Sequence, residues 1–403
     1  MAGQTRRIVI TYFQSLSAAG FAATAISFGP GRIGFGLFVP EFRSAFSMST
    51  PAIGLVSSLG FLGFLVGLVI AQAMLTRRGP ATPVLAGLLA ATLGMGLVAL
   101  ASDVCLLAIG VFFSASSAGF AWTPFNDAVH RKIREVDRPA ALSEISTGTS
   151  VGVAMAGLAA LAMVLSGLSW RVCWAFFAIA ATAALIANWA ALRGVEKSPE
   201  ANPERRWQDV LQIGALPLFS IAFVYGTTSA IYISFAADHM LARGGVPGVP
   251  AAAAPALIFM FYGVFGLAGL FTDRVKDAIR LLWLLRLVML AGALSVALVA
   301  ALPGSWTGLV LSAGLQGLHV MMTSAILAFW SERLFPSKPS FSFTAALLAT
   351  AVGSVAGPAL AAVAADAFGA GAMFIATAAL PAATALLLRD RHAREHPLRV
   401  AAF

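Results

Sequence analysis

The chain has 403 residues, 59% of them hydrophobic and 11% charged, with a mean hydropathy of +0.88. A soluble domain is about 45–50% apolar and about 25% charged, and a disordered chain is poorer still in apolar residues, so both classes are excluded. The net charge of +9 lies in short blocks between long apolar runs, a membrane-loop pattern rather than a nucleic-acid surface.

A membrane-crossing helix needs about 20 apolar residues. Apolar stretches broken by Gly, Pro or charge predict twelve spans, beginning near Ile8, Pro51, Thr82, Val104, Pro139, Trp170, Gly214, Ala253, Ala278, Trp306, Phe341 and Ala370. The first follows Arg6 and Arg7 and runs too long for a cleavable signal core, so it reads as an uncleaved helix. With the amino terminus in the cytoplasm, the cytoplasmic turns carry Arg77, Arg78, Arg131, Lys132, Arg134, Arg138, Arg193, Lys197, Arg205, Arg206, Arg274, Lys276, Arg280, Arg333 and Lys338. The tail adds Arg389, Arg391, Arg394 and Arg399, while only Arg43, Arg171 and Arg243 fall in the outside segments. That asymmetry predicts twelve spans with both ends cytoplasmic. The longest hydrophilic stretch, from Arg193 to Gln212, divides the chain into a bundle over 1–192, a loop over 193–213, a second bundle over 214–390 and a tail over 391–403. Cys105 and Cys173 are too few for a disulfide scaffold and are read as buried free thiols.

The two parts echo each other around their second cytoplasmic turns. Gly269, Asp273 and Arg274 close the eighth span, and Arg77 and Gly79 close the second at the matching place, where Gln72 and Thr76 occupy the remaining positions. This pattern resembles the G-x-x-x-D-R-x-G-type signature of the major facilitator superfamily. The closing Gly becomes Lys276 in the second copy. The eleventh span holds Gly353-Ser354-Val355-Ala356-Gly357-Pro358, similar to an element that drug antiporters of the family carry in the fifth. Gly29-Pro30-Gly31-Arg32 looks like a G-x-G-R feature of one branch of bacterial members. The resemblance implies an all-helical fold of two pseudo-symmetric six-helix bundles, with the first, fourth, seventh and tenth spans lining a central cavity. It also implies a charge network around Asp273 and Arg274 that gates the cytoplasmic side.

Charge inside hydrocarbon marks a functional candidate. Arg32, beyond the middle of the first span, and His319, near the middle of the tenth, are the ionisable groups that stand out. Residues at steps of three and four form polar stripes on three spans: Ser312, Gln316, His319 and Thr323; Tyr225, Thr228 or Ser229, and Tyr232; Ser116, Gly119, Thr123, Asn126 or Asp127, and His130. Such spacing puts each set on one helix face, and in lipid that face is expected to look inward on a water-accessible cavity. A guanidinium matches a carboxylate bidentately, and imidazole titrates near neutrality. Arg32 is therefore expected to hold an organic anion, and His319 to donate to it or carry a coupling proton. Phe28, Trp122, Tyr225 and Tyr232 are expected to enclose an apolar portion of the ligand. No P-loop, H-E-x-x-H, C-x-x-C or G-x-S-x-G is present. The reading is a secondary transporter working by alternating access, monomeric, without a cofactor, with a small molecule and protons as its partners and lipid around it. A proton-driven exporter of drugs or metabolites, and a non-transporting receptor or scaffold, are the alternatives.

Overall fold

The computed structural model describes residues 12–195 and 207–396. The start of the first span at Ile8, Arg6 and Arg7, the loop residues Lys197 to Arg206, and Arg399 lie outside the described residues. Eleven helices are long and apolar enough to cross a membrane, and a broken pair bent by 48° makes a twelfth. In chain order these are α1 (12–46), α2 (Thr50–Arg78), α3 (Ala81–Ala99), α4 (Val104–Lys132), α5 (Arg138–Ser166) and α6 (Trp170–Leu192). After the loop come α7 (Leu216–Ala242), α8 (Ala251–Ala278), α9 (Leu281–Ala301), α10 (Trp306–Leu334), α11 (Pro339–Phe368) and α12 (Ala370–Leu387). The protein is a multi-pass membrane protein of two six-helix bundles. We call the side holding the turns after α2, α4, α6, α8 and α10 the basic face, and the other the far face.

Local chemistry sets the helix ends. On the far face Ser49, Asp103, Ser169 and Ser305 cap α2, α4, α6 and α10, accepting the amides of Ala52, Leu106, Arg171 and Gly308. The Leu106 amide holds the Asp103 carboxyl below the usual range. Pro217 and Pro255 open α7 and the α-helical part of α8, where an amide hydrogen has no partner to lose. Within the first bundle α4 packs on α2 and α3, α6 on α3, and α1 on α5. Within the second, α7 packs on α11, α9 on α10 and α12, and α8 on α10. Across the boundary the contacts run symmetrically, α2 on α11 and α5 on α8.

On the far face the bent end of α1 is fastened to α6 by rings: Phe42 meets Trp170 at 5.0 Å and Trp174 at 6.1 Å. On the basic face the Trp207 and Phe341 rings meet at a tilt, 4.5 Å apart, and Asp209 pairs with Lys338, while Trp330 Nε1 donates to the Arg394 carbonyl. Cys105 is exposed and Cys173 buried, both as free thiols, so the expectation that both are buried is corrected for Cys105, which lies at the exposed start of α4.

Candidate functional site

The site begins with a break in α1. Pro30 supplies no amide hydrogen, Gly29 leaves helical backbone at φ −69° and ψ −110°, and Ser27–Ile33 widens into a π-helical turn. Single π turns inside helices recur at functional sites. This one presents Arg32 at the boundary between the bundles. The guanidinium carbon lies 4.7 Å from the Phe64 ring centre, 5.8 Å from Phe61 and 5.9 Å from Phe28. The guanidinium also meets the Tyr225 phenol from the other bundle. Its Nε is buried and has no hydrogen-bond partner, and among the described residues Arg32 makes no ion pair. Ring faces attract a cation but restore only part of the hydration it has lost. A cation caged this way is set up for an anion.

Two small spaces meet at Arg32. One, of about 290 Å³, is lined by Phe28, Thr149, Val153, Ser229, Tyr262 and Met321 among others. The second, of about 250 Å³, is lined by Ser57, Gly60, Phe61, Val111, Ile233 and Ser234 among others. Among the described residues Arg32 is the only charged one lining either. In the first, Phe28, Thr149 and Met321 keep partial exposure; in the second, every wall residue except Arg32 is buried. The buried Ser57 hydroxyl also lacks a hydrogen-bond partner, so two unpaired polar atoms border the inner space.

With this geometry in place, comparison with known proteins is informative. A family model for the Major Facilitator Superfamily matches residues 16–302. The chain belongs to that superfamily. No curated protein sequence matches it. Among solved structures it is similar to the nucleoside transporter NupG, at 11% identity and a TM-score of 0.72, over 93% of this chain and 98% of that one. It is also similar to a bacterial homologue of the human lysosomal transporter Spinster, inward-facing and unoccupied, at 16% identity and a TM-score of 0.72, over 93% and 96% of the two chains. At such identities the likeness is one of fold.

In this superfamily member the expected inward-looking stripe of α10 meets protein instead of a cavity. Ser312, Gln316, His319 and Thr323 are all fully buried, and their face packs on α9. Ser295 Oγ of α9 lies 2.8 Å from the Ser312 carbonyl and 3.0 Å from Gln316 Oε1, two acceptors that share its one hydroxyl proton. His319 Nδ1 lies 2.8 Å from the Val288 carbonyl, and its ring fills the space that a Cβ on Gly292 would take. A carbonyl only accepts, so Nδ1 carries the proton and Nε2 is left as a bare, buried acceptor without a partner. The α7 face is shared between two environments. Ser229 lines the first space, whereas Thr228 and Tyr232 are fully buried and the Ser312 hydroxyl donates to Tyr232 at 3.1 Å. Tyr225 touches both sides, at Arg32 and, ring to ring at 5.6 Å, at His319. Trp122 and Asn126 of α4 are half-buried and line neither space, with Asn126 Oδ1 unpaired.

Sequence reasoning missed Tyr262, Thr149, Ser57, Phe61 and Phe64. The signal available was that three of the four tyrosines, Tyr225, Tyr232 and Tyr262, fall in spans of one bundle; the structure gathers them, with Tyr232 and Tyr262 at 6.3 Å edge to face.

The expected charge network of the superfamily signature is corrected. Asp273 is 82% exposed and pairs only within its own turn, with Lys276 at 3.6 Å, because Lys276 stands at the closing Gly position. Arg274 lies over the Phe271 ring at 5.6 Å. Gly269 packs toward Met321 of α10, Arg77 is exposed in the last turn of α2, and Gly79 caps that helix after Arg78 at φ 70°. The charges that do span the bundles are on the far face. Arg43 Nε and Nη2 donate to Asp238 Oδ1 at 3.1 Å and Oδ2 at 2.8 Å, and Nη1 donates to the Met48 carbonyl at 3.0 Å. A partly exposed pair of this kind contributes about 1 kcal/mol, roughly a fivefold change in an equilibrium. Arg43→Ala or Asp238→Ala is expected to open the far face by about that factor, read by cysteine labelling from that side. The swapped pair Arg43→Asp with Asp238→Arg is expected to restore the closed value, and equal labelling in all forms would show that the pair does not close the face.

Proposed function

We propose that the chain is a secondary transporter that moves a small organic anion across the bacterial inner membrane by alternating access, without covalent chemistry. The observation that carries this reading is the guanidinium of Arg32, without an ion pair among the described residues and with a buried, partnerless Nε, at the meeting of two spaces between the bundles. Intramembrane charge without a partner is costly unless a ligand supplies one. Phe28, Tyr262, Val153 and Met321 would enclose the apolar part of the ligand, with Ser229, Thr149 and Tyr225 as hydrogen-bonding groups. Tyr232, Thr228, Gln316, His319 and Thr323 would hold α7, α9 and α10 in register behind that wall, and Trp122 and Asn126 would stand beside the approach on α4.

The basic face is assigned to the cytoplasm by its Lys and Arg content, with both termini there. The far face is shut, by Arg43 with Asp238 and by the close approach of Gly36 to the Ile233 carbonyl. The other reading, coupling to protons through His319, would be signalled by uptake driven by a pH gradient alone, and the burial of His319 against α9 favours the first.

A thermal-shift screen of the purified protein tests the reading, because a ligand that binds the native state raises apparent stability. Organic anions are expected to raise the melting temperature, while nucleosides, sugars and cationic drugs are expected to leave it unchanged. Stabilisation by cationic or neutral compounds alone would replace the anion with another cargo.

A further inference from the structure

The walls around Arg32 hold one positive charge and no negative one. Resting on the organic-anion reading, we propose that the carrier exchanges organic monoanions one for one, crossing only when a single negative charge is held between Arg32 and Ser57.

The argument follows the guanidinium through the transport cycle. In the state described, the first space keeps partly exposed walls, so Arg32 retains some access to water. To cross, both faces must close at once, and that water is lost. An empty carrier would then enclose the cation among Phe28, Phe61, Phe64 and the neutral Tyr225 phenol, which return only part of its hydration and none of its charge. No Asp or Glu lines either space to serve as an internal counter-charge. Arg43, the nearest basic residue along α1 toward the far face, is already held by Asp238. An anion with one charge makes the closing site neutral, so the loaded carrier closes more easily than the empty one. The return journey then needs a second anion, which is exchange.

The same count sets the ligand's charge. One guanidinium neutralises one carboxylate or sulfonate; a second negative charge would face Phe28, Val153, Tyr262 and Val320 with no cation to meet it. Ser57 supplies the other donor. Its hydroxyl and Arg32 Nε are the two buried atoms without partners that border the inner space, and an anionic head group accepts from both. The partly exposed first space takes the body of the ligand.

The test uses the full chain in detergent and then in sealed vesicles. Acetate, lactate, benzoate and benzenesulfonate serve as monoanions, succinate and citrate as polyanions, and benzamide as the neutral control. At least one monoanion is expected to bind about tenfold more tightly than either polyanion, and Ser57→Ala is expected to weaken it about tenfold, the effect of losing one hydrogen bond to a charge. The tightest-binding monoanion then goes into the vesicles, with benzenesulfonate preferred because its charge is permanent and it does not leak through lipid as a neutral acid. Labelled ligand is expected to enter vesicles preloaded with the same anion at least tenfold faster than empty ones, with no dependence on a pH gradient. Polyanions binding as tightly as monoanions would overturn this proposal and leave the organic-anion reading intact. Equal entry into empty and loaded vesicles, or entry driven by a proton gradient, would overturn exchange in the same way. A panel in which no anion binds at all would instead overturn the organic-anion reading itself.

Discussion

Arg32→Leu is expected to abolish anion binding and, in the same protein, to raise the melting temperature of the empty form. The two effects have one cause. Truncating one partner of a buried charge pair costs about 3 kcal/mol or more, so the dissociation constant of the anion should rise by at least roughly a hundredfold. In the empty protein the guanidinium has no carboxylate, its Nε has no acceptor, and phenylalanine rings surround it. Replacing such a group with an apolar side chain of similar reach is stabilising in other buried ionic sites, commonly by about 1–4 kcal/mol. Arg32→Lys keeps the charge and loses the planar fork, so it should bind more weakly than the native chain and more tightly than Arg32→Leu. Titration calorimetry gives the affinities, and unfolding of the ligand-free variants gives the stabilities. If Arg32→Leu bound the anion normally, the site would lie elsewhere. If the empty variant were instead much less stable, Arg32 would be a structural member with a partner in the native state.

The helices and the break in α1 were legible because both depend on local signals. Apolar runs end at residues that cap or break helices, and the capping residues Ser49, Asp103, Ser169 and Ser305 lie within a residue or two of the boundaries the sequence suggests. Gly29-Pro30-Gly31 likewise announces a disturbed turn, and Arg32 beside it is conspicuous as a charge in an apolar run. The destination of the α10 stripe was not legible. Spacing shows that Ser312, Gln316, His319 and Thr323 share a face, but it carries no information about what the face meets. What decides it is Ser295 on α9, one serine in an apolar helix, together with Gly292, whose missing side chain makes room for the imidazole. Phe61, Phe64 and Tyr262 were hidden for a related reason: an aromatic residue in a membrane helix stands out from nothing around it, and only the approach of Arg32 gives it a role. Ser57 illustrates both limits, since a serine in a membrane helix is commonplace until its lack of a partner and its place beside Arg32 are seen.

Adding one methyl group at each of two glycines is expected to separate conformational switching from stability. At Gly36, on the far half of α1, a Cβ would stand 1.9 Å from the Ile233 carbonyl of α7. At Gly152, on α5, a Cβ would stand 2.2 Å from the Ala25 carbonyl of α1. Both clashes are with backbone, so a helix must move, and overpacking of this kind costs about 1–3 kcal/mol. The contacts differ in what they join. Gly152 sits inside the first bundle, where nothing opens during transport, so Gly152→Ala should lower the melting temperature and leave the conformational balance alone. Gly36 sits between the bundles, where α1 and α7 part when the far face opens, so the strain can be released by opening. Gly36→Ala should therefore shift the population toward the far-open state by about tenfold to a hundredfold, with little loss of overall stability. Ser234→Cys, in the inner space next to Ile233, reports the difference when labelled with an impermeant maleimide from the far side. Cys105, exposed at the far end of α4, and Cys173 are first replaced by Ser to clear the background. Faster labelling in Gly36→Ala and unchanged labelling in Gly152→Ala is the expected pattern. If the two variants gave the same labelling and the same loss of stability, the α1–α7 contact would be ordinary packing, and the closure of the far face would have to be sought in the pairing of α2 with α11 or of α5 with α8.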